Sequence, residues 1–504
     1  MIKRGRLLTR AVCMAMLLVF LSGQVASAIT VREENEVAGE FIRMIRAHYP
    51  IIDDPVVNDY ITGLGERILA VFPEQPFRYH FYVVQSDVYN AFAGPGGHVF
   101  MHSGLLTDLP NEEALAGIMA HEISHVHSRH ISDRIDRSKK IGIGTLAGVA
   151  AGILVGVSGN AAAGGALTVG SLAGSQTAAL SYSRDDEMQA DQVGMTYMME
   201  AGYGGEEMLT SLKTLRSKQW FGPAEIPTYL TTHPALEERI VYISNWIEAN
   251  KEAIDAHRKE IDQSAFLKVK ARLTALYTPV DLALDRLNLA KERGEATLYT
   301  EYGLALLMDR MGKYDQAAVH MRTILEKRAF DEDALKGLGS IYFHDGKYKE
   351  ARKLLEGALS MDPDDFESNL WMGRLLIEEG YYHEAVSRLS PLARDYGPGA
   401  RAHYDLGNAF SKIGKTYDSS YHLGLYYRGV GDLRNSVFQL KRAKEMAPND
   451  ASKKEVARVL DEITGKNRKK KKKAEEPAPE ETPTGETPSG ETPSEDPTPE
   501  EGKG

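Results

Sequence analysis

A glycine that recurs every 34 residues constrains the fold of the C-terminal half of this 504-residue chain more than any other sequence feature. The recurring positions are Gly312, Gly346, Gly380 and Gly414, and a tyrosine follows each of the first three after two positions. This period, with small residues at fixed offsets, is typical of the tetratricopeptide repeat, a helix-turn-helix unit. We therefore predict an α-solenoid over residues 297–449, whose concave surface binds peptides or proteins. A 17-residue shift to Gly431 predicts an atypical capping end.

The two ends of the chain differ in composition from the rest. Residues 1–28 combine a basic start, an apolar run too short to span a bilayer, and the small-residue site Ala26-Ser27-Ala28. They predict a cleaved secretory signal peptide and hence a periplasmic protein, with an uncleaved anchor as the alternative. Residues 450–504 contain a lysine run and an acidic Pro/Thr-rich segment, which predicts a disordered tail. The lysines are expected to be solvated or to contact anionic lipid or an acidic partner.

Composition excludes several classes of function. The net charge of −11 argues against nucleic acid as a partner. The one cysteine, Cys13, lies in the predicted signal peptide. The mature chain therefore has no thiol for a disulfide, a nucleophile or a metal ligand.

One short motif indicates the chemistry. The stretch His121-Glu122-Ile123-Ser124-His125 lies in an amphipathic run that predicts a helix from about Asn111 to Ile131. Positions i and i+4 share a helix face, so both imidazoles can reach one zinc ion at about 2.1 Å. Glu122 can then take a proton from water held by that ion, as in zinc peptidases. Without a metal, two such histidines would be ordinary surface residues.

A zinc site of this kind requires another donor, which must be a carboxylate or a histidine because cysteine is absent. The stretch after Arg184 predicts a polar helix on which Glu187 and Asp191 are again four residues apart. One carboxylate could bind the metal while the other accepts a hydrogen bond from the far ring nitrogen of a ligand histidine. The alternative is a solvated acidic helix face.

Three segments, HEISHVHSRH, SRDDEMQAD and THPALEERI, occur in an order that resembles the zinc endopeptidases related to HtpX and the CAAX prenyl proteases. The resemblance is in particular to the periplasmic BepA-like branch, which joins such a domain to tetratricopeptide repeats. It covers about residues 35–450. It implies that Glu187 is the third ligand of one Zn²⁺ per chain. It also implies that Asp191 does not bind the metal but accepts a hydrogen bond from a histidine that does.

The resemblance also implies a binding strand for the substrate. Val99, Phe100, Met101 and His102 would form an edge strand beside the active-site cleft, to which a substrate peptide adds as a further strand.

A further donor is expected to stabilise the oxyanion that forms during hydrolysis. His233 and Arg239 are the candidates, and the alternative for His233 is simple packing against the following proline. His127 and His130 lie on other faces of the predicted helix, so we assign them no metal role.

The segment 141–183 contains no charged residue and is rich in glycine. We expect a helical hairpin that covers the site or dips into a membrane surface. Buried helices that pack on their own domain through small residues are the alternative.

These features predict a mainly α protein with a small β-sheet, in which an α+β metallopeptidase domain precedes the α-solenoid. The expected boundaries are 29–265 for the peptidase domain, 266–296 for a helical connector and 297–449 for the repeats. The predicted function is zinc-dependent hydrolysis of peptide bonds in misfolded or stalled clients, and the resemblance implies a role in outer-membrane protein quality control or assembly. The alternative is a chaperone or adaptor whose zinc site is dormant or regulated. Expected partners are protein substrates, outer-membrane assembly machinery and a membrane surface.

Overall fold

The structure is a computed structural model that describes residues 29–140, 150, 182–218, 229, 232–294, 297–393 and 399–464. The predicted signal peptide, the lysine run with its acidic tail, and all of the uncharged segment except Ala150, Tyr182 and Ser183 lie outside the described residues. Within the described part of the chain, no helix combines the length and apolarity needed to cross a bilayer.

The N-terminal half is a helical domain around one small sheet. Its elements are α1 (Val31–His48), α2 (Pro55–Leu69), β1 (His80–Val84), β2 (Ala91–Gly94), β3 (His98–His102), α3 (Ser103–Asp108), α4 (Glu112–His127), α5 (His130–Lys140), α6 (Arg184–Glu200), α7 (Glu206–Lys218), α8 (Leu236–Ala249) and α9 (Lys251–His257). Two further helices, α10 (Ser264–Tyr277) and α11 (Val280–Glu292), lead to the repeats. One apolar cluster of this domain joins α2, β1, β3, α4, α6, α7, α8 and α10.

The prediction that Val99–His102 is an edge strand is wrong. The sheet order is β1-β3-β2, so β3 is the central strand. It pairs with β1 in parallel and with β2 antiparallel. All four residues are buried, as expected of a strand covered on both faces and bonded on both sides. The strand therefore has no free edge to which a substrate could add.

The helix predicted from Asn111 to Ile131 is two helices. The first, α4, ends at His127, and the chain turns at Arg129, whose φ is +63°. The second, α5, begins at His130. The break redirects the chain directly after the zinc-binding motif.

The repeats have the predicted helix-turn-helix form. Within the described residues, the pairs are α12 (Leu298–Arg310) with α13 (Tyr314–Lys327), α14 (Glu332–His344) with α15 (Tyr348–Met361), α16 (Phe366–Glu378) with α17 (Tyr382–Leu389), and α18 (Gly399–Lys412) with α19 (Thr416–Gly429). The recurring glycines lie in the turn inside each pair, with φ of 72°, 74°, 88° and 76°. These left-handed values favour glycine and explain its 34-residue period. The prediction of an α-solenoid after a mainly α domain with a small sheet is confirmed.

The prediction of a disordered tail from residue 450 is wrong for residues 450–464, which form a helix. Beyond the four pairs, α20 (Leu433–Glu445) lies within the predicted repeat range, and α21 (Asp450–Thr464) extends past it. Val456 and Val459 of α21 are buried in a cluster with Leu440 of α20. An apolar stripe on one face of a charged helix was overlooked in this part of the sequence.

One buried guanidinium connects the repeats to the N-terminal domain. Arg272 of α10 is 7% exposed. Its Nε lies 2.7 Å from Oδ2 of Asp54, the N-cap of α2, and its Nη1 donates to Tyr302 of α12 over 2.8 Å. It also pairs with Glu367 of α16. A buried charge is costly unless it is paired. These contacts therefore hold α2 of the N-terminal domain, α10, and the repeat helices α12 and α16 together.

Acid should destabilise the repeats through His422. Burial and the neighbouring His403 lower the pKa of His422 to about 3. In the unfolded chain this histidine has a pKa of about 6.5, so it binds a proton more readily than in the folded protein. The contribution of His422 to the free energy of unfolding is therefore fully present above pH 6.5 and is lost as the pH decreases toward 3. The expected loss is up to about 2 kcal/mol at pH 5. Melting temperatures at pH 7 and 5 should differ less for His422→Phe than for wild type. The exposed His383→Phe serves as control, and an equal shift in all three proteins would contradict this prediction.

Candidate metal centre

The helix that carries the zinc-binding motif is fixed at its start. The N–H of Ala114 donates to the side chain of Asn111 over 3.0 Å, which caps α4. The Glu112 carboxylate accepts hydrogen bonds from the hydroxyls of Tyr60 and Tyr203, both at 2.9 Å. Almost every residue of α4 up to Val126 is buried. The motif therefore lies in a rigid element inside the domain.

A second helix packs against α4 at the motif itself. Helix α6 begins with a capping box between Ser183 and Asp186. At Gly194 it approaches α4 so closely that a Cβ would lie 3.2 Å from the main-chain carbon of Ala120 and the nitrogen of His121. The missing side chain permits this approach, which brings the start of α6 to the histidines.

Four buried side chains converge at this contact. His121, His125, Glu187 and His233 each offer one nitrogen or oxygen, and these atoms lie within 4.8 Å of one another. The Nε2 atoms of His121 and His125 are 3.0 Å apart. The Glu187 carboxylate lies 3.5 Å from each of them. Imidazole nitrogens and a carboxylate oxygen in this arrangement fit the donor set that zinc prefers.

His233 approaches the cluster from the segment before α8. Its Nδ1 is 3.0 Å from Oε1 of Glu187 and 3.3 Å from Nε2 of His121. The side chain is fully buried, and the ring of Tyr229 stacks on it at 4.4 Å. The structure thus brings His233 together with the motif, and its contacts extend beyond packing against Pro234.

Glu122 lies beside the donors and does not use its carboxylate elsewhere. It is fully buried, and its Oε1 is 3.4 Å from Nε2 of His233. Among the described residues, neither carboxylate oxygen has a hydrogen-bond partner. Burial raises the pKa of Glu122 above its usual value, although His233 and His121 oppose this effect. A buried carboxylate with free lone pairs and a raised pKa suits a group that exchanges a proton.

Asp191 and Arg239 support the cluster from behind. Oδ1 of Asp191 lies 2.8 Å from Nδ1 of His121, so the carboxylate can hold the far ring nitrogen of that histidine. Arg239 donates through Nε and Nη2 to both oxygens of Asp191, each at 2.8 Å. Its Nη1 is 2.8 Å from Oε2 of Glu187. Burial alone would raise the pKa of Asp191, but Arg239 and His121 hold it below its usual value.

The sequence analysis missed three neighbours of the cluster. His130 contacts His125, with Nδ1 atoms 2.9 Å apart. Tyr182 stacks on His125 at 3.7 Å, and Tyr229 covers His233. The tyrosines carry no motif, and the contact of His130 depends on the unpredicted break at Arg129. By contrast, His127 contacts Gln75 and Phe72, and neither it nor any residue of Val99–His102 belongs to the donor cluster.

Comparison with known families agrees with this geometry. Residues 56–247 match peptidase family M48. The chain contains an M48 peptidase domain. Tetratricopeptide repeats match at residues 302–366 and 342–406. The M48 domain therefore includes all four donors and Glu122, and the repeats follow it as predicted.

Proteins similar to this chain include the beta-barrel assembly-enhancing protease of Escherichia coli (strain K12), which is 28% identical over 430 residues, or 84% of this chain and 79% of the relative. The protein of that name from Yersinia pestis is 30% identical over 307 residues, covering 60% and 61%. The mitochondrial metalloendopeptidase OMA1 of Schizosaccharomyces pombe is 26% identical over 230 residues, covering 45% and 63%. With the donor cluster, these likenesses identify the M48 domain as a zinc metalloendopeptidase and confirm the predicted enzyme class.

Proposed function

We propose that this protein is a periplasmic zinc endopeptidase that cleaves misfolded or stalled client proteins during outer-membrane protein assembly. The observation that carries the proposal is the buried convergence of His121, His125, Glu187 and His233 beside a Glu122 with free carboxylate oxygens. The names of the bacterial relatives support the link to β-barrel assembly, and the signal-like residues 1–28 support the periplasm.

We assign His121, His125 and Glu187 as the ligands of one zinc ion per chain. Each places a donor atom toward the other two, at 3.0 to 3.5 Å. When bound, zinc supplies Lewis acidity that activates water and polarises the scissile carbonyl. Asp191 fixes His121 so that Nε2 faces the other donors, and Arg239 holds the two carboxylates in place.

Glu122 transfers the proton during hydrolysis. Its carboxylate removes a proton from the attacking water and later gives it to the amine nitrogen that leaves. The lack of competing hydrogen-bond donors within the described residues keeps its oxygens free for this transfer. Arg239 is already hydrogen-bonded to Asp191 and ion-paired with Glu187, which favours His233 over Arg239 as the donor to the oxyanion.

Replacing His233 by alanine should weaken zinc binding. The change removes a side chain that contacts two of the assigned ligands, Glu187 at 3.0 Å and His121 at 3.3 Å. Loss of an outer-shell partner alone weakens metal binding roughly 10- to 100-fold, so we expect at least a tenfold loss of zinc affinity. Competition with a chromophoric chelator measures this change. The exposed His257→Ala is the control, and unchanged zinc affinity in His233→Ala would show that His233 does not support the zinc ligands.

Digestion of an unfolded protein tests the proposed activity directly. Purified protein should cleave casein, lose this activity when zinc is removed by a chelator, and recover it when zinc is restored. In cells that lack the protein, restoring it should change the level of immature β-barrel proteins in the outer membrane. A preparation with bound zinc that prevents aggregation of unfolded clients but never cleaves them would instead favour the chaperone alternative.

A further inference from the structure

The turn between α4 and α5 presents a histidine that has no role in the mechanism above. His130 is 2% exposed. Its Nδ1 lies 2.9 Å from Nδ1 of His125, and its Nε2 lies 3.0 Å from Oε1 of Gln189 on α6. We propose that His130 is a positioning residue that accepts the Nδ1–H of His125 and so directs the Nε2 lone pair of His125 toward the metal. This inference rests on the proposed zinc site.

The arrangement of protons supports this role. Nε2 of His125 faces the other donors, 3.0 Å from Nε2 of His121. A neutral His125 that offers this lone pair to a metal must carry its proton on Nδ1. His130 then has to accept at Nδ1 and carry its own proton on Nε2. The amide oxygen of Gln189 only accepts, so it completes the chain and selects this tautomer of His130.

A strained backbone conformation at Arg129 brings His130 to this position. The φ of +63° at Arg129 is a left-handed backbone conformation that residues other than glycine rarely adopt. The Arg129 side chain is held by Nη1, 3.3 Å from Oε2 of Glu34, and by Nη2, which donates to the Ile29 carbonyl over 2.8 Å. The buried Glu34 also accepts from the hydroxyl of Ser132 on α5 over 2.6 Å. These contacts hold the turn that points His130 at His125.

The two motif histidines therefore have matching support. Nδ1 of His121 is held by the Asp191 carboxylate at 2.8 Å, and Nδ1 of His125 is held by an imidazole at 2.9 Å. Such outer partners fix ring orientation and tautomer, and their loss weakens metal binding roughly 10- to 100-fold. His127 on the same helix lacks this relation, because its Nδ1 contacts Gln75 instead.

The proposal is tested by substitutions of His130 that place a hydrogen-bond acceptor either near the former Nδ1 atom or near the former Nε2 atom. Zinc affinity is measured in the full-length protein by competition with a chelator. His130→Leu removes the acceptor and should lower the affinity roughly 10- to 100-fold. His130→Asn places its side-chain oxygen near the former Nδ1 and should recover most of the affinity. His130→Gln places its oxygen near the former Nε2 and should not. His127→Leu, the matched control, should bind zinc as wild type does.

A spectroscopic measurement separates positioning from a general loss of stability. With cobalt(II) in place of zinc, the visible absorption spectrum of His130→Asn should match wild type, and that of His130→Gln should differ. Wild-type affinity in His130→Leu, or equal affinities of the Asn and Gln variants, would overturn the proposal. The Asn and Gln pair decides the matter even when the leucine variant does not fold. A wild-type protein that binds no zinc would refute the metal site itself, together with this inference.

Discussion

Glu122→Gln is expected to lower the rate of peptide-bond hydrolysis about 10²- to 10⁴-fold, the usual contribution of a positioned general base. The amide keeps the shape of the side chain but cannot take a proton. Glu122 is fully buried, and within the described residues its carboxylate oxygens have no hydrogen-bond partner that the substitution would disrupt. Zinc content and melting temperature should therefore remain close to those of wild type.

Casein digestion, zinc content and thermal unfolding measured on the same preparations would check this result. Glu66→Gln, an identical change on an exposed part of α2, is the control and should digest casein normally. Full activity in Glu122→Gln would contradict the role of Glu122. Loss of both zinc and activity would instead assign the residue to metal binding.

Arg239→Met should destabilise the zinc-free protein by about 3 to 5 kcal/mol. The guanidinium is fully buried and forms ion pairs with Asp191 and Glu187, which are fully buried too. Removing it leaves two carboxylates without their compensating cation inside the domain. Bound zinc replaces part of that positive charge, so the loss of stability should be smaller in the zinc-bound protein.

Thermal unfolding with and without zinc would measure this difference. For a domain of this size, the expected loss corresponds to a decrease in melting temperature of roughly 6–20 °C. Arg184→Met is the matched control, because Arg184 forms an exposed pair with Glu238 whose contribution is about 1 kcal/mol or less. If the Arg239 and Arg184 variants melt at the same temperature, Arg239 does not hold the buried carboxylates in the way we describe.

The parts of the structure that sequence predicted well follow from local geometry. The motif residues His121 and His125 share a helix face because the helical repeat places i and i+4 together. The glycines from Gly312 to Gly414 adopt positive φ because each repeat ends its first helix in a left-handed turn. Such features need no knowledge of distant segments, so a single sequence is sufficient to predict them.

The errors concern features that depend on distant contacts. The position of β3 in the sheet depends on parallel pairing with β1, and neither strand encodes its partner locally. The proposed role of His130 depends on the left-handed backbone at Arg129. Contacts with Glu34 and Ile29, about 100 residues earlier in the sequence, stabilise that conformation. Gly194 was a usable signal, since an isolated glycine within a helical pattern often marks close packing.

The ion pairs of Arg272 bear on how the chain can be divided for experiments. A fragment that ends before α10 would leave Asp54 at the start of α2 without its cation, and a fragment of the repeats alone would remove the same partner from Glu367. Each half would then expose the apolar residues of its own core that pack against α10 in the intact chain. Catalytic and client-binding assays should accordingly be made on one intact polypeptide, because the severed pieces are not independent modules.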